Sequence, residues 1–257
     1  MTLTKMNLFL SLALATTVAL SSPSFAALQY DQDVTNAAIF GSGNTNGSFT
    51  TDRANGIELG LRAKLRHNAS GLPQNIFNSN GDGTYTFDAG VAPTQSYPTA
   101  VWSFEWSINS DYDGSSADFL DDLTYELSMT SSTGASITPF DPINGVNPGN
   151  GMVFWDHSTG TNGTANGAGV EATDATNYAT LIAGNNLAQN SWKPHWFAAG
   201  FDPTLNGTYD FVLTAFDGAN QVASTAIQIN TVPEPATVAL MGLSLLGCVG
   251  YARRHRA

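Results

Sequence analysis

One cysteine, Cys248, is all that this chain of 257 residues contains. It lies in an apolar stretch near the C-terminus, so the rest of the chain can form no internal disulfide. Positive charge is also scarce, with nine Lys and Arg against 21 Asp and Glu. Residues 27–231 hold five bases and 20 acids, a net charge of −15. Such a surface repels nucleic acid, whose binding needs a basic footprint. It suits the attraction of divalent cations or plain solubility. No G-x-S-x-G elbow, H-E-x-x-H helix, phosphate-binding loop or paired C-x-x-C occurs, so the usual motifs of hydrolase, metallopeptidase and nucleotide chemistry are missing.

Long hydrophobic runs are confined to the two ends. At the first, Lys5 precedes an apolar core from Leu8 to Leu20, followed by Ser24-Phe25-Ala26. This reads as a secretory signal peptide over residues 1–26, cut after Ala26, with an uncleaved signal anchor as the alternative. At the second, Val232-Pro233-Glu234-Pro235 leads into the uncharged run Ala236 to Ala252, which stops at Arg253-Arg254-His255-Arg256. Prolines on both sides of a glutamate keep the lead out of helix and sheet ladders. The run would span roughly 25 Å as a helix, slightly short of a bilayer core of about 30 Å. Arg253, Arg254 and Arg256 would hold its end in the cytoplasm. Leu245-Leu246-Gly247-Cys248 looks like a lipobox, but it stands far from any N-terminus that it could create.

The order, spacing and terminal position of Pro233, Glu234, Pro235, the apolar segment and the basic end resemble the PEP-CTERM sorting signal of Gram-negative bacteria. That resemblance implies a membrane-embedded exosortase as partner, transient anchoring in the inner membrane, and delivery to the cell surface or extracellular matrix. A plain single-span anchor is the alternative. Segments of the body are similar to uncharacterised PEP-CTERM proteins, among them Phe40 to Asn44, Gly56 to Lys64, Phe77 to Tyr85 and Ala188 to Trp192. The similarity implies a link to exopolysaccharide and biofilm and brings no active-site residues.

The body from 27 to 231 reads as all-β. Ile57, Leu59, Leu61, Ala63 and Leu65 alternate with Glu58, Gly60, Arg62, Lys64 and Arg66. Trp102, Phe104, Trp106 and Ile108 alternate with Ser103, Glu105 and Ser107, and Leu123 to Thr130 follows the same period of two. Tyr209 to Phe216 and Val222 to Ile229 flank the hairpin loop Asp217-Gly218-Ala219-Asn220. Thr84 to Asp88 and Val153 to Asp156 are shorter strand candidates. One apolar face per strand predicts antiparallel sheets with a wet side, hence a β-sandwich of jelly-roll or Ig-like type. One short helix is expected near Tyr178, capped by Thr173 or Asp174 and stopped at Gly184-Asn185. A transmembrane helix is expected in the tail.

Asp111, Asp113 and Asp118, with Asp121 and Asp122, could offer oxygen ligands to Ca2+ on a loop bent at Gly114. The pattern lacks the bidentate Glu of an EF-hand, and a solvated acidic turn is the plainer reading. Asn80-Gly81-Asp82-Gly83 reads as a hairpin turn. A polysaccharide-active enzyme would need two facing carboxylates, for which Glu105 and Glu126 are the candidates; both fall on expected polar faces. His157 and His195 lack ligand spacing and read as loop residues. Trp155, Trp192, Trp196 and Phe197 offer faces for stacking on sugar rings, or else plugs for the ends of the core. The expectation is a non-enzymatic exported β-sandwich, with a carbohydrate- or calcium-binding module as the alternative.

Overall fold

Alternating apolar residues need a partner layer, and two sheets supply it. The computed structural model describes residues 27–35, 38–41 and 43–233. The expected signal peptide and tail helix, with Glu234, Pro235, Arg253, Arg254 and Arg256, lie outside the described residues. Strands β1 (Gln29–Gln32), β2 (Phe49–Ala54) and β3 (Ile57–Leu65) open the fold. They are followed by β4 (Thr84–Asp88), β5 (Trp102–Asn109), β6 (Thr124–Ser131), β7 (Ser136–Phe140) and β8 (Ser158–Gly160). Helix α1 (Ala175–Ile182), β9 (Leu187–Trp192), β10 (Gly207–Asp217) and β11 (Asn220–Val232) complete it. One sheet runs β1-β2-β3-β5-β9-β8 and the other β4-β11-β10-β6-β7.

The expected period of two holds where it was strongest. Leu59, Leu61, Trp102, Phe104 and Trp106 from one sheet meet Leu127, Tyr209, Phe211 and Leu213 from the other in one buried core. Phe104 and Phe211 lie with ring centroids 4.5 Å apart across the layers. The long hairpin β10–β11 pairs Asp217 with Asn220, and Gly218 takes the positive φ that its two-residue loop requires. Helix α1 begins as expected, with Asp174 Oδ1 accepting from Asn177 N at 2.9 Å. Among the described residues no helix is long and apolar enough to cross a membrane.

Three expectations need correction. The second sheet is mixed, because β4 pairs with β11 in parallel. Val153 to Asp156 forms no strand; Met152 and Val153 stay exposed on a loop that approaches β8. The largest correction concerns the face carrying Glu58, Arg62, Lys64, Ser103, Glu105 and Ser107, expected wet and in fact buried. The described residues between Val34 and Phe49 fold over it, with Val34, Ile39, Phe40 and Phe49 as their own small apolar cluster. Gly60 makes the close approach possible, since a Cβ there would stand 2.8 Å from Val34 Cγ1.

Candidate functional site

Between this cover and the loop before β8, the rim of the first sheet opens into two adjoining clefts. β9 ends at Trp192, and Lys193 then leads into a turn of 3-10 helix, Pro194–Trp196. Proline at the first turn position carries no N–H and presets φ for the tight turn. Phe197 N and Ala198 N both donate to Pro194 O, at 3.1 and 2.9 Å. The turn sends Trp196 outward, 44% exposed, while Phe197 packs inward on Trp192 with centroids 4.8 Å apart.

The first cleft, about 460 Å³, is floored by Trp155 and Trp192 and walled by Met152, Phe154, Trp196 and Phe197. Asn147, Asn150 and Asp156 stand at its polar edge. The loop that brings them there is closed on itself, with Gly151 N donating to Asn147 O at 2.7 Å and Asn147 N to Met152 O at 2.9 Å. The second cleft, about 480 Å³, is polar, with Lys64, Arg66, Glu171, Asn190 and Ser191 in its lining. Asp156 and Trp196 border both. An aromatic floor beside a few convergent amides and charges is the usual make-up of a small-ligand site, and both volumes fall in that size range.

Behind the floor sits His157, which is fully buried rather than in a solvated loop. Its ring lies among Trp106, Trp155, Tyr178 and Trp192, with centroids 4.8 to 5.9 Å away. Nε2 is 2.8 Å from Pro142 O, which can only accept, so the proton is on Nε2. Nδ1 is then the acceptor facing Asn190 Nδ2 at 3.1 Å, and Asn190 also reaches Asp156 Oδ1 at 3.1 Å. Burial pushes the imidazole down to about 4, against smaller upward pulls from the Pro142 hydrogen bond and Asp156. A neutral ring fixed in one tautomer acts as a strut between the core and the cleft edge.

The other candidates fall elsewhere. Trp155 and Trp192 are core plugs that double as cleft floor, at 1% and 2% exposure. His195 is half-buried beside Trp196, and burial lowers its pKa before the charge of Lys193 does. Glu105 is fully buried on the covered face, whereas Glu126 is exposed on the outer face of the other sheet. The core lies between those two carboxylates, so they share no cleft. In the β5–β6 loop, Asp111 Oδ1 accepts from Ser116 N and Oγ, both at 3.1 Å, and Asp113 Oδ1 accepts from Ser115 N at 3.0 Å. Burial raises the Asp118 carboxyl, helped by the charges of Asp122, Asp217 and Asp111. Among the described residues no group of three His, Cys, Asp or Glu side chains is placed to hold a metal. Asp82 Oδ1 accepts from Thr84 N at 3.0 Å, and Ser79 bridges Tyr85, so the Asn80–Gly83 segment is a turn as its residues imply.

Sequence reasoning missed Lys64, Arg66, Gln189 and Asn190 as cleft residues. The available signal was charge: three of the domain's five bases stand at alternate positions in Arg62-Ala63-Lys64-Leu65-Arg66.

Residues 231–256 match the PEP-CTERM protein-sorting motif. No curated protein and no solved structure matches the chain. The chain carries a PEP-CTERM sorting domain and is an exported protein, sorted at the membrane by an exosortase. Its folded part runs directly into that motif, since β11 ends at Val232 and Val232 O accepts from Ala89 N at 2.8 Å.

Proposed function

We propose that the folded domain is a non-enzymatic saccharide-binding module that works at the cell surface or in the extracellular matrix of a Gram-negative cell. After removal of residues 1–26, the tail holds the protein in the inner membrane until the exosortase processes it. The domain then associates with exopolysaccharide. The observation that carries this reading is the exposed Trp196 ring standing over a cleft whose edge is made of Asn147, Asn150 and Asp156. Sugar rings offer C–H faces to an aromatic ring and hydroxyls to amides and carboxylates, so the pairing of surfaces fits. Glu105 and Glu126 give no support to glycoside hydrolysis, which needs its two carboxyls on either side of one bond.

The test is binding of the full chain, purified in detergent, to a panel of soluble polysaccharides, followed by tryptophan fluorescence. Trp196→Ala should abolish the response while leaving the melting temperature within about 1–2 °C, since an exposed side chain contributes little to stability. A panel on which neither form binds anything would overturn the reading.

A further inference from the structure

The scarcity of positive charge makes its placement informative. Of the five bases in residues 27–231, Arg53 is held by Glu58 at 2.5 Å, and Arg62 and Lys64 share the single carboxylate of Glu105. That buried group therefore keeps one net positive charge. Arg66 and Lys193 make no ion pair among the described residues, despite the 20 acids in the domain. Lys64 and Arg66 line the polar cleft. Lys193 holds its Nζ 5.6 Å from the centroid of the Trp196 ring, the wall common to both clefts. Burial holds Lys64 and Lys193 below the usual lysine range. For Lys64 it works against an upward pull from Glu105 and is helped by Arg62 and then Arg66. For Lys193 it is helped by the charge of Arg66. Three cations thus crowd one edge of a strongly acidic domain.

Asp156 and Glu171 line the same cleft, and the strand order separates Asp156 from Lys64. β5 and β9 intervene between β3, which carries Lys64, and β8, which Asp156 precedes by two residues. Asp156 Oδ1 accepts from Asn190 of β9, two strand steps from β3, so at about 4.8 Å per step Lys64 and the Asp156 carboxylate stand roughly 10 Å apart. A ligand crossing the cleft would meet cations on one side and hydroxyl acceptors on the other.

We infer that the polar cleft takes a carboxylate-bearing saccharide, a uronic acid unit, with its acid group at Arg66 and Lys193 and its hydroxyls toward Asp156 and Asn190. Planar guanidinium pairs with carboxylate through two parallel hydrogen bonds, and Trp196 offers the stacking face beside them. The charge of −15 on residues 27–231 repels polyanions at long range, so this local cluster of bases is where one would be held.

This rests on the saccharide-binding reading, and calorimetry with the full chain can separate the two. The probes are a galacturonate hexamer, the same hexamer methyl-esterified, and dextran sulfate. The acid should bind at least tenfold more tightly than the ester, and Arg66→Gln and Lys193→Gln should each remove most of that preference at unchanged melting temperature. Equal binding of acid and ester, lost in Trp196→Ala, would overturn the acidic ligand and leave the saccharide reading standing. Dextran sulfate binding as tightly as the hexamer would overturn it in favour of general anion attraction. No binding of either hexamer or of any neutral polysaccharide would bring down both.

Discussion

Arg62 Nη2 stands 2.6 Å from Glu105 Oε2, and both side chains are fully buried. The guanidinium is stacked between the rings of Phe49 and Phe77, at 4.2 and 4.1 Å from their centroids. Its Nη1 donates to Thr45 O at 3.0 Å and Gly47 O at 2.7 Å. One buried cation therefore fastens to the sheet the covering segment whose Phe40, Gly41 and Asn44 line the polar cleft. Lys64 Nζ, 3.7 Å from the other oxygen of Glu105, donates to Asn44 of the same segment.

Removing one partner leaves an uncompensated buried charge. Glu105→Ala should cost about 3–5 kcal/mol in urea unfolding of the full chain. A double change, Arg62→Met with Glu105→Leu, should cost less than the sum of the single ones, because the charges go together. It should not be neutral, since the carbonyls of Thr45 and Gly47 lose their donor, at about 1–3 kcal/mol. Hydrogen exchange should show the extra opening in residues 43–49. A double variant as stable as the parent would mean that the pair does not hold the cover.

His157 gives a pH dependence with a definite sign. Its folded value of about 4 lies below its ordinary 6.5, so the unfolded chain binds the extra proton between those limits. Stability is then fully present above about pH 6.5 and is lost as pH falls toward 4, by about 3 kcal/mol in all. His67 and His195 are also lowered by burial and act in the same sense. His157→Gln should lower the melting temperature at pH 7.5 through lost packing, and should make its fall between pH 6.5 and 4 shallower. An unchanged slope in that variant would show that His157 is not the group responsible.

Much of this fold was legible because strands with one apolar face announce themselves. β3, β5, β6, β10 and β11 all put their apolar alternation into the core. The same pattern misled on the other face, since alternation of Ser103, Glu105 and Ser107 reads the same over water as over a buried network. β9 was missed as a strand because both its faces are buried and both are polar in part. Gln189 lies under the cover and donates to Ser107 Oγ at 3.1 Å, while Asn190 serves His157. The tryptophans of the cleft were legible as residues but not as a site. What joins them is the turn after Lys193 and the loop closed by Asn147, and neither has a periodic signature.

The acidic loop after β5 should be indifferent to calcium. Its best oxygens, on Asp111 and Asp113, already accept hydrogen bonds from Ser116 and Ser115 and cap the turn. Drawing those oxygens onto an ion would compete with the hydrogen bonds that hold the turn. Adding 1 mM Ca2+ should leave the melting temperature unchanged within about 1 °C, against a rise of about 2.7 kcal/mol in stability for a site saturated a hundredfold. A rise that disappears in Asp111→Ala with Asp113→Ala would establish a calcium site.

The handover from domain to tail sets where processing can occur. The sorting motif begins at residue 231, yet Thr231 and Val232 still belong to β11. Thr231 pairs with Gly207 on one side and Phe87 on the other, and Val232 pairs with Asp88. A cut before Val232 would have to peel the strand off two neighbours. Pro233 is the first residue free of the ladder, and Pro233-Glu234-Pro235 cannot extend it. Cleavage should therefore fall at Pro233 or just beyond. Mass spectrometry of the surface or secreted form should find Val232 at or near the new C-terminus and no peptide past Thr237. Replacing Pro233, Glu234 and Pro235 with alanine should leave the protein full-length in the membrane fraction. Recovery of Arg253 to Ala257 on the surface form would mean that the tail is a plain anchor. A C-terminus before Thr231 would mean that the enzyme unfolds β11 to reach its site.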